Sequence, residues 1–140
     1  MYLVPTLSVA YWKGKNRDQL PPEIAVKARA AISHIDQMVQ HAVRIGVPIA
    51  MGTDAPGVPH GKNALEFWLM TKDGMTPAQA LMAGTANGAD LLGIAEQTGT
   101  LQPGKAADIV AVPGNPIVDI EATQHRAFVM KQGVAYVGGK

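Results

Sequence analysis

Residues 47–54 read Val-Pro-Ile-Ala-Met-Gly-Thr-Asp, a short apolar run ending in a small residue, a hydroxyl and a carboxylate. Such a run after a long amphipathic helix reads as a buried parallel strand. A carboxylate at the C-terminal tip of a parallel strand stands where α/β barrels do their chemistry. Asp54 has a second reading. Asp54-Ala55-Pro56-Gly57 is good turn material, and the carboxylate then serves the turn. The octet leaves both readings open.

Upstream lies the strongest helical signal of the chain. Ala25, Ala28, Ile32, Ile35, Val39 and Ala42 recur at spacings of three and four, which puts them on one face of a helix over 23–45. Lys27, Arg29, Gln37, Gln40 and Arg44 fall mostly elsewhere. Pro22 suits the first turn and Gly46 stops the helix. Residues 2–10 are apolar and β-prone, and a strand is expected over 3–7. Tyr11 to Pro22 reads as a loop. After the strand at 47–53 comes a loop over 54–62, rich in proline and glycine. Ala64 to Lys72 reads as a helix closed by Asp73-Gly74. Thr76-Pro77 is a helix start, with helices over 77–83 and 85–92 and Gly93 as the stop. From Gly99 the texture turns β: a tight turn over 99–105, a strand over 107–112, and a hairpin of 127–131 with 134–137 around Gln132-Gly133. Strand, helix, strand, helices and a small β tail make an α/β chain with parallel pairing in its first part.

Composition narrows the function. The 140 residues fit one ordinary domain and are too few for a complete (β/α)8 barrel, which takes roughly 200 or more. With 47% apolar and 16% charged residues, a packed core is expected. A net charge of +1 without a basic cluster implies no nucleic-acid or membrane partner. There is no cysteine, which excludes disulfides, thiolate metal sites and Cys nucleophiles. No signal peptide and no membrane span can be read, so the expected location is cytoplasmic. The first residues read as a strand already, as in a piece of something larger.

The chain has four histidines. His34 and His41 lie seven apart on the long helix, too far to clasp one ion, and read as surface or packing residues. His125 stands in a polar stretch and reads as exposed. His60 lies in the loop after Asp54, beside Gly61 and Asn63, where a barrel would face its substrate. A hydrogen-bonded loop histidine is the structural alternative. Asn63 carries its own alternative, as N-cap of a helix beginning at Ala64.

Five motifs in order carry a resemblance. They are Gly52-Thr53-Asp54, His60-Gly61-Lys62-Asn63, Gly74-Met75-Thr76-Pro77-Ala78-Gln79-Ala80-Leu81, Ala83-Gly84-Thr85-Ala86-Asn87-Gly88-Ala89, and Gly99-Thr100-Leu101-Gln102-Pro103-Gly104-Lys105-Ala106-Ala107-Asp108. The set resembles the C-terminal part of the amidohydrolase superfamily. The branch is that of imidazolonepropionase, the metal-dependent Xaa-Pro dipeptidases and the arginine/lysine carboxypeptidases. The resemblance implies that 2–7 and 47–53 are strands seven and eight of a TIM-type barrel. Residues 1–98 then belong to the barrel and 99–140 to part of a small composite β-sandwich.

The resemblance also implies a site. Asp54 would stand at a centre holding zinc or a similar divalent metal, take a proton from the metal-bound water and pass it to the leaving nitrogen. Gly52 and Thr53 would hold that carboxylate, and His60 and Asn63 would face a small amide or dipeptide substrate. The family's His-x-His, its bridging lysine or glutamate and its two later histidines have no counterpart in this sequence. The expectation is therefore a C-terminal portion, inactive alone, that pairs with the missing barrel segment or with a second copy. The alternative is a non-catalytic α/β domain that oligomerises or binds. A sugar- or nucleotide-binding domain is disfavoured, because no phosphate-cradling glycine loop is present.

Overall fold

Two extended segments, 1–6 and 47–54, run side by side in the computed structural model, which describes residues 1–15 and 21–138 and leaves out the side chains of 28–31. Leu3 and Ile49 form a parallel bridge. Its hydrogen bonds run from Leu3 N to Pro48 O at 2.9 Å and from Ala50 N to Leu3 O at 3.0 Å. The segments are parallel as expected, but their regular pairing is one bridge rather than full strands over 3–7 and 47–53. The chemistry explains the short ladder. Pro5 has no N–H to donate. Thr6 adopts φ 48°, which ends the extended run. The chain then turns into helix α1, Leu7–Lys15, where a strand end and a loop were expected. Residues 16–20 of the expected loop lie outside the described residues.

Helix α2 spans Pro22–Arg44, with Pro at its first turn and Gly46 at φ 74° just beyond its end. Its apolar stripe does what the spacing implies: Val39 and Ala42 are buried and Ile35 packs on the core. Ala28 of that stripe and Arg29 opposite it fall among the undescribed side chains. Helices α1 and α2 approach closely at Gly14, where an added Cβ would lie 2.5 Å from Ile32 Cδ1. Helix α3, Leu65–Lys72, ends at Asp73 with Gly74 at φ 100°. Helix α4, Pro77–Ala83, starts at a capping box. Gln79 N donates to Thr76 Oγ1, and Thr76 N donates to Gln79 Oε1. Helix α5 covers Ala86–Leu91, slightly inside the expected span. One apolar cluster joins Leu7, Val39, Ile49, Leu69, Met70, Met75, Ala80 and Ala83, so α1 to α4 and the second extended segment share a core. Two contacts pin that segment from its other side: Asn87 Nδ2 donates to Ile49 O at 2.8 Å, and Met51 N to Ala83 O at 2.9 Å.

The tail is an antiparallel sheet of β1 (Ile109–Ala111), β2 (Phe128–Lys131) and β3 (Val134–Val137) in that order. The expected hairpin turns at Gln132 and Gly133, both with positive φ of 50° and 80°. A 3₁₀ helix, Ile120–Gln124, was not foreseen. Asp119 caps it by accepting from Glu121 N at 3.0 Å; it packs on α3, and its Ile120 and Ala122 are buried. No helix among the described residues is long and apolar enough to cross a membrane.

Candidate functional site

Asp54 follows directly on the second extended segment and is exposed. Its backbone is left-handed, φ 52°, a region that non-glycine residues seldom occupy and that Asp and Asn tolerate best. Gly57 N donates to Asp54 O at 2.8 Å, so the turn reading of Asp54-Ala55-Pro56-Gly57 is realised by the backbone. The Ala55–Pro56 peptide is cis. The side chain is not spent on that turn. Among the described residues no side-chain hydrogen bond holds the Asp54 carboxylate, and Thr53 does not bond to it. Only its backbone is constrained, and the carboxylate stays open to water.

The loop beyond is anchored at Val58, which is 1% exposed. His60 and Asn63 are both exposed on it. Asn63 Oδ1 accepts from Gly61 N at 3.2 Å. The N-cap of α3 is Ala64, without a side-chain cap bond, so Asn63 is not its cap. Asn63 instead closes its own loop, and its amide nitrogen remains open. The structure thus places Asp54, His60 and Asn63 along one exposed loop, and no hydrogen bond among the described residues joins the three. His34 and His41 are exposed on α2 and His125 ends the 3₁₀ helix, all away from this loop in sequence.

Glycine sets the closeness of the walls. A Cβ on Gly52 would lie 2.5 Å from Val4 Cγ1 and 3.2 Å from Thr6 Cγ2. A Cβ on Gly57 would lie 2.6 Å from Val9 Cγ2 and 2.9 Å from Asp54 O. Residues 4–9 therefore press against 52–57 from one side. What the missing Cβ of Gly52 admits is the first extended segment, through Val4 and Thr6.

Sequence reading missed Glu66. It is 0% exposed, on α3, with its carboxylate turned to the start of α1. Leu7 N donates to Oε1 at 2.8 Å, and Ser8 N and Ser8 Oγ donate to Oε2 at 2.7 and 2.5 Å. Burial pushes the carboxyl above its ordinary range, and the bonds from Ser8 and Leu7 oppose that shift. The signal was present as one acid within Leu65-Glu66-Phe67-Trp68-Leu69-Met70. An acid in so apolar a run either is wasted or has a buried partner.

A divalent metal needs several converging ligands. No group of three or more His, Asp or Glu side chains fit for a metal occurs among the described residues. The described residues therefore do not form a metal centre by themselves.

The described residues thus form an α/β chain with one parallel pairing, an exposed loop carboxylate just beyond it and an appended antiparallel sheet. Comparison with known proteins gives the family. Residues 15–136 match the Amidohydrolase family, and the chain belongs to it. Ochratoxinase of Aspergillus niger is 36% identical over 143 residues, covering 100% of this chain and 28% of that protein. Imidazolonepropionase of Geobacillus kaustophilus is 46% identical over 98 residues, covering 66% of this chain and 23% of that protein. Among solved structures, a Xaa-Pro dipeptidase with methionine bound in its active site superposes with a TM-score of 0.90 at 37% identity. That match covers 99% of this chain and 35% of the other. Ochratoxinase superposes at 0.80, covering 99% and 32%. The chain thus spans about a third or less of the length of these relatives.

Proposed function

We propose that this chain is the C-terminal part of an enzyme that hydrolyses C–N bonds of small amide or dipeptide substrates. Residues 1–98 supply the end of the barrel and 99–140 part of the small sandwich. Water attacks the carbonyl carbon, Asp54 accepts the water's proton, and the C–N bond breaks as Asp54 delivers that proton to the leaving nitrogen. An acid and an amine result. The observation that carries this reading is the placement of Asp54: an open carboxylate, held in a left-handed backbone at the end of the parallel segment. A chain whose whole length matches ochratoxinase and a Xaa-Pro dipeptidase adds support. Zinc or a similar divalent metal, held by ligands from outside this chain together with Asp54, would supply Lewis acidity. His60 and Asn63 contact the substrate's carboxylate or scissile carbonyl.

The test is Asp54→Asn in the intact enzyme. Turnover of dipeptides or acyl amino acids should fall by about 10²-fold or more, the scale of a lost general acid–base group. Unchanged turnover overturns the assignment. An intact, metal-loaded protein that hydrolyses none of these substrates favours the non-catalytic binding domain instead.

A further inference from the structure

Glu66 is a fully buried carboxylate that the reaction above does not use, and its reach is long. It stands on α3, after the Asp54 loop, and its hydrogen bonds cross to Leu7 and Ser8, 59 and 58 residues away in sequence. Those two residues open α1, whose first orphan N–H groups need an acceptor. An anion at that end is also favoured by the helix dipole. The fixed segment is the one that abuts the site. Val4 and Thr6 border Gly52, and Val9 borders Gly57, on either side of Asp54. Thr6 itself is in a left-handed conformation, φ 48°, immediately before the first bonded residue. The contacts form a closed circuit: Glu66 holds 7–8, residues 4–9 press on 52–57, and the loop leads back through 58–65 to Glu66.

We infer that Glu66, with Ser8, is a positioning residue that clamps the start of α1 and thereby fixes the backbone that aims the Asp54 carboxylate. The clamp needs an acceptor-only group. Three donors converge on the two oxygens, and an amide would turn its NH₂ onto one of them. A buried donor left facing another donor costs stability and loosens the turn. Ser8 contributes a hydroxyl that threonine retains and alanine lacks.

This inference rests on Asp54 being the reactive carboxylate, and the experiment separates the two. Amide hydrogen exchange and steady-state kinetics are measured on the intact enzyme for wild type, Glu66→Gln, Ser8→Ala, Ser8→Thr and Asp54→Asn. In Glu66→Gln and Ser8→Ala, exchange should quicken at 7–9 and at 54–58 together, by about tenfold or more. Their kcat should fall by about tenfold or more while KM stays within about twofold, because aim is lost and binding is not. Ser8→Thr keeps the hydroxyl and should lie nearer wild type than Ser8→Ala on both readouts, short of it only by the strain of one methyl added at a fully buried position. If exchange quickens at 7–9 alone and kcat holds, Glu66 is a helix anchor only and the inference is overturned. Should Glu66→Gln fail to fold, Ser8→Ala carries the same two outcomes. If Asp54→Asn retains turnover while exchange still spreads from 7–9 to 54–58, the catalytic role of Asp54 fails and the mechanical coupling stands.

Discussion

Asp54 combines two demands that few residues meet: a carboxylate, and a backbone at φ 52°. Asn shares Asp's tolerance of that region, whereas a β-branched residue does not. Asp54→Asn should therefore leave the melting temperature nearly unchanged, while Asp54→Val should lower stability by about 1–2 kcal/mol. Thermal melts of the two variants check this, and equal losses would deny that the backbone is special. Gly52 makes a second demand. Its missing Cβ leaves 2.5 Å to Val4 Cγ1, a stiff β-branched neighbour that cannot swing aside freely. Gly52→Ala should cost about 1–3 kcal/mol, as overpacking does, and denaturant melts would measure it. The proposed site could be read from the sequence only as a set of local groups. Asp54, His60 and Asn63 are polar residues on one proline- and glycine-rich loop, and a loop after a parallel strand is where chemistry gathers. Glu66 was not legible, because its partners at 7 and 8 lie far along the chain and no periodic pattern links them.

Elements show the same division between local and distant causes. Helices α2 and α4 could be read because their signals are local: an apolar stripe with proline before it and glycine after it, and Thr76 as N-cap before Pro77, where the structure adds the Thr76–Gln79 capping box. Thr76→Ala should cost about 1 kcal/mol, readable as a lower denaturant midpoint with an unchanged slope. Helix α1 could not be read. Leu-Ser-Val-Ala-Tyr-Trp-Lys-Gly-Lys mixes a β-branched residue, two aromatics and a glycine, and reads as strand followed by loop. It is a helix because Glu66 caps it and because Gly14 lets α2 come close. The end of α3 gives a pH dependence. Burial raises the Asp73 carboxyl above its ordinary 3.8; the bond from Gln40 opposes this, and the charge of Asp36 adds to it. Asp36 is itself raised by burial. Between the ordinary and the raised values the folded state holds more protons than the unfolded chain, so stability falls as pH rises. The favourable contribution is complete below about pH 3.8 and is lost as pH climbs through the raised value. Asp73→Asn should thus match wild type near pH 3 and gain on it as pH increases, in melts taken from pH 3 to 7. A difference that does not vary with pH would reject the assignment.

At the scale of the whole molecule, the described residues enclose a real core but leave much apolar surface open. Ile45 is 62% exposed, Met82 52% and Val110 62%, and the 3–49 bridge is the only parallel pairing among the described residues. A parallel sheet is stable when buried on both faces and continued by further strands. A single bridge is neither, and exposed extended edges invite pairing. Relatives about three times as long share this fold over nearly the whole chain. We therefore expect the purified 140-residue chain to be found bound to a second copy or to a segment that completes the barrel. Light scattering checks this, and a compact monomer with one cooperative melt would count against it. Among the described residues no three metal-fit side chains meet, and one carboxylate cannot bind a catalytic metal tightly. The chain alone, given zinc or cobalt, should leave dipeptides and acyl amino acids intact. Adding the complementary barrel segment should restore turnover, and Asp54→Asn in this chain should abolish it again. Hydrolysis by the isolated chain that Asp54→Asn removes would show that 140 residues suffice to build the centre, and the reading of this chain as one part of a larger site would be lost.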